Sequence, residues 1–251
     1  MILAMVLASV LAVDTKTFLK AVQSRDIPAI QTMLAEDPTL VNAHTTRGSS
    51  VVTLAMFSIP KGEESFQNPP DNEVLQAILA HHPKLDNFDV AALGTPQQLG
   101  AILKSDPAAL MRLSPAGWTL LHTAAFAGNV PNTELLIAKG ADVNKRAQSK
   151  FLNTPLMAAL LSNQAATTKI LLEHGADVLV RDASGFTPMH EAAVAGRQDL
   201  VQLLLDHGAQ LNSVADNGKT PLAEAMRMKY EPLIVWLKAK GAVEAAIPDN
   251  E

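Results

Sequence analysis

Thr187 to Gly208 reads TPMHEAAVAGRQDLVQLLLDHG, and this stretch decides the architecture. Pro188 suits the first turn of a helix, where its missing N–H is no loss. Ala192-Ala193 carries that helix to a break at Gly196. Beyond the break, Leu200, Leu203 and Leu204 recur at helical spacing, and Gly208 supplies a residue able to end a helix in the left-handed conformation. The unit is a short helix, a turn and a second helix.

The unit returns along the chain. Thr119-Leu-Leu-His122, Thr154-Pro-Leu-Met157, Thr187-Pro-Met-His190 and Thr220-Pro-Leu-Ala223 lie 35, 33 and 33 residues apart. Gly140-Ala-Asp, Gly175-Ala-Asp, Gly208-Ala-Gln and Gly241-Ala follow at the same intervals. Each threonine precedes its glycine by 21 residues, whereas the connectors from glycine to the next threonine measure 14, 12 and 12. The helical part is rigid and the connector varies. Asp182-Ala-Ser-Gly185 and Asp216-Asn-Gly218 hold the Asp, Asn and Gly of tight turns, so the connectors are expected to project as hairpin-like tips.

Residues 117 to 241 resemble the ankyrin repeat, whose period is about 33 residues and whose T-P-L-H-x-A signature is nearly reproduced by Thr187-Pro188-Met189-His190-Glu191-Ala192. The resemblance implies an all-α solenoid of stacked helix-turn-helix units with hairpin-like connectors. Upstream the pattern weakens, but a helix stop persists. Stops at Pro38, Pro83, Pro107, Gly140, Gly175, Gly208 and Gly241 predict seven repeats. Pro60 to Asn72 (PKGEESFQNPPDN) is expected to be a solvated insertion, and Thr95-Pro96-Gln97-Gln98 reads as a capped helix start. The expected organisation is a possible leader at 1–12, a cap with degenerate repeats at 13–116, four well-matched repeats at 117–247 and a tail at 248–251. Lys16, Lys20 and Arg25 at one end, and Lys229, Lys238 and Lys240 at the other, provide the polar outer faces that end repeats need. Tyr230 and Trp236 are read as packing residues that close the last repeat.

The chain has 251 residues, 48% of them hydrophobic and 4% aromatic, with a formal charge of −5 and no cysteine. Such apolar content excludes wholesale disorder, and scarce rings favour small aliphatic modules over one large core. An acidic balance argues against nucleic acid as a partner, and the missing cysteines exclude disulfides and thiolate sites. Met1 to Val13 (MILAMVLASVLAV) is too short to span a bilayer, so no integral membrane segment is expected. It reads either as the apolar core of a signal peptide cut after Ala12, giving a periplasmic or secreted monomer, or as an apolar first helix in a cytoplasmic one.

No catalytic signal emerges, so the expectation is a non-enzyme without cofactor or metal. His122 and His190 stand where ankyrin-like proteins use imidazole to bond neighbouring backbone and hydroxyl groups. His174 and His207 suit helix carboxyl ends, and the adjacent His81-His82 point about 100° apart, with no carboxylate at ligand spacing. Glu63-Glu64 is read as a solvated charge run.

The resemblance implies that residues just before each threonine lie on the hairpins and that residues after the alanine pair lie on the concave side of the first helices. Trp118 and Phe186 then occupy tips, with Phe126, Leu161 and Val194 behind them: apolar surface where the fold is wet. They are expected either to anchor a partner protein or to pack against neighbouring tips. Lys145, Arg146 and Lys150 cluster in the longest connector and, with Lys219 and Arg227, either frame an acidic target or form a solvated rim. The functional expectation is protein binding through this face. The alternatives are an envelope or immunity-type protein that captures and guards one partner, and a ligand-binding or enzymatic site under the 60–72 loop.

Overall fold

The computed structural model describes residues 14–58 and 72–244. The expected leader, nearly all of the 60–72 insertion with any site beneath it, and the expected tail lie outside the described residues. The described chain is all helical, with 14 α-helices, two short 3-10 segments and one isolated bridge in place of any strand. The α-helices form seven consecutive pairs, the number predicted from the helix stops. Two compact units are present, one up to Asp89 and one from Val90. The sequence-based division after residue 116 marks where the repeat pattern strengthens, not this boundary.

In the first unit, α1 (Thr15–Gln23) pairs with α2 (Ile27–Glu36) and α3 (Val51–Met56) with α4 (Glu73–Leu79). Each opens on a side-chain cap: Asp14, Asp26, Ser50 and Asn72 accept the backbone N–H three residues on. Phe18, Val22, Ile30, Leu34, Leu75 and Ile78 form the core. Asp89 is fully buried and accepts from Ser50 Oγ at 2.8 Å, Thr53 Oγ1 at 2.9 Å and the Asp86 N–H at 3.1 Å. Burial, aided by the Asp86 charge, pushes its carboxyl up to about 6.

Helix α5 (Asn87–Leu93) carries the chain into the second unit, which continues with α6 (Pro96–Ser105), α7 (Leu120–Ala127), α8 (Val130–Ala138), α9 (Pro155–Leu161) and α10 (Ala165–Glu173). It ends with α11 (Pro188–Val194), α12 (Gln198–Asp206), α13 (Pro221–Arg227) and α14 (Glu231–Ala239). The first helices α7, α9, α11 and α13 pack side by side in sequence order, and α6, α8, α10 and α12 form a second row. Leu136, Leu171, Leu204 and Leu237, four residues before each stop glycine, are fully buried between the rows. The sequence-predicted start at Thr95 is a reciprocal capping box: Thr95 N–H donates to Gln98 Oε1 at 2.8 Å and Gln98 N–H to Thr95 Oγ1 at 3.3 Å. Thr95→Ala is expected to cost about 1 kcal/mol in urea unfolding.

In the second unit, side-chain hydrogen bonds between neighbouring repeats run in opposite directions at the two ends of the helices. On the hairpin side, side chains reach forward: Asn144 Nδ2 donates to Gly175 O at 3.1 Å, Arg181 to Val214 O at 2.8 Å, and Asn212 Nδ2 to Gly241 O at 3.1 Å. On the side of the inter-helix turns they reach back: Asn129 and Asn132 donate to carbonyls of residues 90–94, Ser162 to Phe126 O, and Arg197 to Asn163 Oδ1 at 2.7 Å.

Candidate protein-binding face

Four threonines place the face. Thr119, Thr154, Thr187 and Thr220 cap α7, α9, α11 and α13 from extended backbone, so equivalent positions of the four helices stand in register. Two caps are fastened by histidine. His122 Nδ1 accepts from the Thr119 hydroxyl at 2.8 Å and its backbone N–H at 3.3 Å, which leaves Nε2–H to donate to Asn153 O at 3.2 Å. His190 repeats this with Thr187, at 2.9 and 3.1 Å, and Lys219 O at 3.1 Å. These are the structural roles expected for both residues. Burial pushes the His122 imidazole down to about 4 and lowers that of His190, so both are neutral near pH 7.

Seven residues after each cap stand Phe126, Leu161, Val194 and Arg227. Phe126 is 1% exposed, Leu161 and Val194 are half-buried, and Arg227 is exposed. Four residues after each cap the row reads Thr123, Ala158, Glu191 and Glu224. The face therefore passes from apolar at α7 to charged at α13.

Two of the expected anchors are not on the surface. Trp118 is 8% exposed and lies edge-on to Phe126, ring centroids 5.5 Å apart, with His122 at 5.8 Å. The indole folds back over the helix it precedes, where its apolar area and that of Phe126 leave water together. The expectation of solvent-facing rings at 118 and 126 is corrected accordingly, and packing accounts for both. Phe186 is half-buried on His190, centroids 4.9 Å apart.

The predicted cations divide as well. Lys219 Nζ lies 3.2 Å from Glu224 Oε1, and Arg227 Nε lies 2.7 Å from Glu224 Oε2. Glu224 is 2% exposed, so both cations serve a buried carboxylate. Lys150 is exposed and stands 4.8 Å from the ring centroid of Phe151. Glu191, half-buried beside this cluster, is pushed up to about 7 by burial and by the charges of Asp182 and Glu224.

The sequence reading missed the exposed apolar residues of the connectors. Phe151 is 56%, Leu152 39%, Leu179 51% and Val214 45% exposed. Two were detectable by register. Leu152 fills the slot held by Gly117, Gly185 and Gly218, and Leu179 the slot held by the bridging Asn144 and Asn212. Beside Leu179 a cavity of about 180 Å³ opens, lined also by Thr187, Gln210, Ser213 and Val214. Among the described residues no group of three His, Asp or Glu is placed to hold a metal ion, and no helix is long and apolar enough to cross a membrane.

Paired helices with register-locked threonine caps, cap-binding histidines and projecting connectors define a helical-repeat protein. Residues 72–182 and 179–246 match the family described as "Ankyrin repeats (3 copies)", more than half of the chain, and the chain belongs to the ankyrin repeat family. Among its relatives, human "Arf-GAP with coiled-coil, ANK repeat and PH domain-containing protein 2" is 38% identical over 76 residues, 30% of this chain and 10% of that protein. Rat "Ankyrin repeat and SAM domain-containing protein 6" is 35% identical over 102 residues, 41% of this chain and 11% of that protein. "Alpha-latrotoxin-Lg1a" of Latrodectus geometricus is 39% identical over 83 residues, 33% of this chain and 6% of that protein. The matches thus span only a small part of those much longer proteins.

Proposed function

We propose that this chain is a non-enzymatic interaction module that binds a partner protein through the first helices and hairpin tips of the four repeats from Gly117 onward. The observation that carries the reading is the graded face: half-buried Leu161 and Val194 in register, with half-buried Phe186 on the hairpin beside them, next to Glu191, Lys219 and Arg227. A partner placed there covers apolar side chains at the centre and meets charge at one end, the arrangement of a binding patch. Ankyrin repeats serve generally as protein-protein interaction modules, which supports the class of function without naming a partner.

The test is affinity capture from the native source with the wild-type chain and a Leu161→Lys/Val194→Lys variant, both checked for fold by circular dichroism. Neither residue is fully buried, so the variant is expected to keep its helices and to lose a partner that the wild type retains by at least about tenfold in affinity. Equal retention by both would overturn the assignment of the face.

A further inference from the structure

The connector between α8 and α9 differs from its neighbours in length, charge and backbone. Thr154 follows Gly140 by 14 positions where the next two threonines follow their glycines by 12, and the connector carries Lys145, Arg146, Lys150, Phe151 and Leu152. Leu152 has φ +56°, in the slot where Gly117, Gly185 and Gly218 have φ of +78° to +80°. Glycine enters that region without penalty and leucine does not. A Cβ at Gly117 would collide with the Gln148 carbonyl, so glycine is demanded there by close approach, whereas Leu152 is tolerated with its side chain turned to water. Backbone strain that holds an apolar side chain in solvent does nothing for the fold.

The tip is also held firmly. Ala183 N–H donates to Phe151 O at 2.9 Å, Phe151 N–H to Ser149 Oγ at 3.2 Å, and Leu152 N–H to Ser149 O at 3.3 Å. Arg146 gives its N–H groups to the carbonyls of Leu152, at 3.4 Å, and Arg181. Lys145, Arg146 and Lys150 have no carboxylate partner among the described residues, unlike Lys219, Arg227 and Arg181. Two apolar side chains thus stand on a braced tip beside Arg146 and Lys150, with Lys145 further back in the same connector, and none of the three cations has a carboxylate partner among the described residues of a chain of net charge −5.

We infer that this tip is a docking element for an acidic, apolar-bearing segment of a partner protein, with Phe151 and Leu152 as the apolar contact and Lys145, Arg146 and Lys150 as the charged rim. The inference rests on the protein-binding reading above and names the chemistry of the partner. Complementary charge around a small apolar contact gives selectivity and fast encounter. An anionic membrane is the poorer occupant, because the chain as a whole repels it and only two apolar side chains are offered for insertion.

The probe is a short fluorescein-labelled peptide alternating glutamate and leucine, followed by anisotropy, beside a lysine-leucine counterpart and phosphatidylcholine vesicles containing phosphatidylserine. The wild type is expected to bind the acidic peptide at least about tenfold more tightly than the basic one, and Lys150→Glu/Phe151→Ser to lose at least about tenfold. Leu152→Gly separates docking from folding: it is expected to raise Tm by relieving the backbone while weakening the peptide complex. Lys104→Glu, an exposed change of the same charge on α6 outside both the tip and the proposed face, is expected to bind the peptide as the wild type does. The inference is overturned if the wild type does not bind the acidic peptide, if both peptides bind equally, if the tip variants keep full affinity, or if vesicles alone are bound. Loss of the peptide in Leu161→Lys/Val194→Lys alone would overturn the tip and leave the proposed face standing. A captured partner that depends on neither set of residues would instead remove the broader reading.

Discussion

Phe126→Ala is expected to destabilise the chain by about 3–5 kcal/mol in urea or thermal unfolding. The ring is fully buried and lies against Trp118, so its removal forfeits transfer free energy and leaves a cavity that the indole fills only in part. Phe186→Ala is the contrast. That ring is only half-buried, on His190, and its loss is expected to cost less than half as much. Equal effects would mean that the two aromatic positions are packed alike, contrary to their exposures. The comparison also decides which aromatics are usable in binding experiments: a variant at 126 reports on folding first.

The second large effect concerns pH. His122 is held down to about 4 against an unfolded value of 6.5, so the unfolded chain takes up the proton first, and stability falls as pH drops from about 6.5 to 4. Glu191 acts in the opposite sense. Its folded value of about 7 against 4.5 unfolded means that stability falls as pH rises from about 4.5 to 7. Each amounts to roughly 3 kcal/mol at about 1.36 kcal/mol per unit, so between pH 7 and 4 they nearly offset in the wild type. His190, also lowered, adds to the acid side. Glu191→Gln removes one arm. The variant is expected to exceed the wild type by about 2–3 kcal/mol at pH 8, to match it near pH 4, and so to show a steep acid loss that the wild type hides. Parallel urea-unfolding profiles across that range would contradict it.

The repeat was legible because it is written in residue types with few substitutes. Threonine before proline fixes a helix start and glycine after leucine a stop, and the stop series alone counted the seven pairs, including those whose threonines are missing. The histidine caps followed from the same register. The candidate site was less legible, since a hairpin position says where a backbone goes and not whether its side chain folds back. Trp118 and Phe186 occupy the same slot, yet the first turns onto Phe126 while Val194, the counterpart of Phe126 behind Phe186, offers no ring to meet. The pairing of Lys219 and Arg227 with Glu224 was hidden because its slot is Thr123, Ala158 and Glu191 in the other repeats, and nothing in that column says which way a glutamate there turns. Leu152 was readable, as the odd residue in a glycine column.

The opposed hydrogen bonds at the two ends of the helices make each repeat of the second unit a link clasped from both sides. Excising one internal repeat would bring an equivalent backbone carbonyl to forward-reaching donors such as His122 Nε2, as Lys219 O serves His190, but would strand side-chain pairs such as Arg197 with Asn163, whose slot one repeat earlier is Gly128. Repeats joined in this way are not interchangeable beads. Their order is part of the structure, so duplication or shuffling of single units is disfavoured, and length variation is confined to the connectors, as the longer one between Gly140 and Thr154 already illustrates.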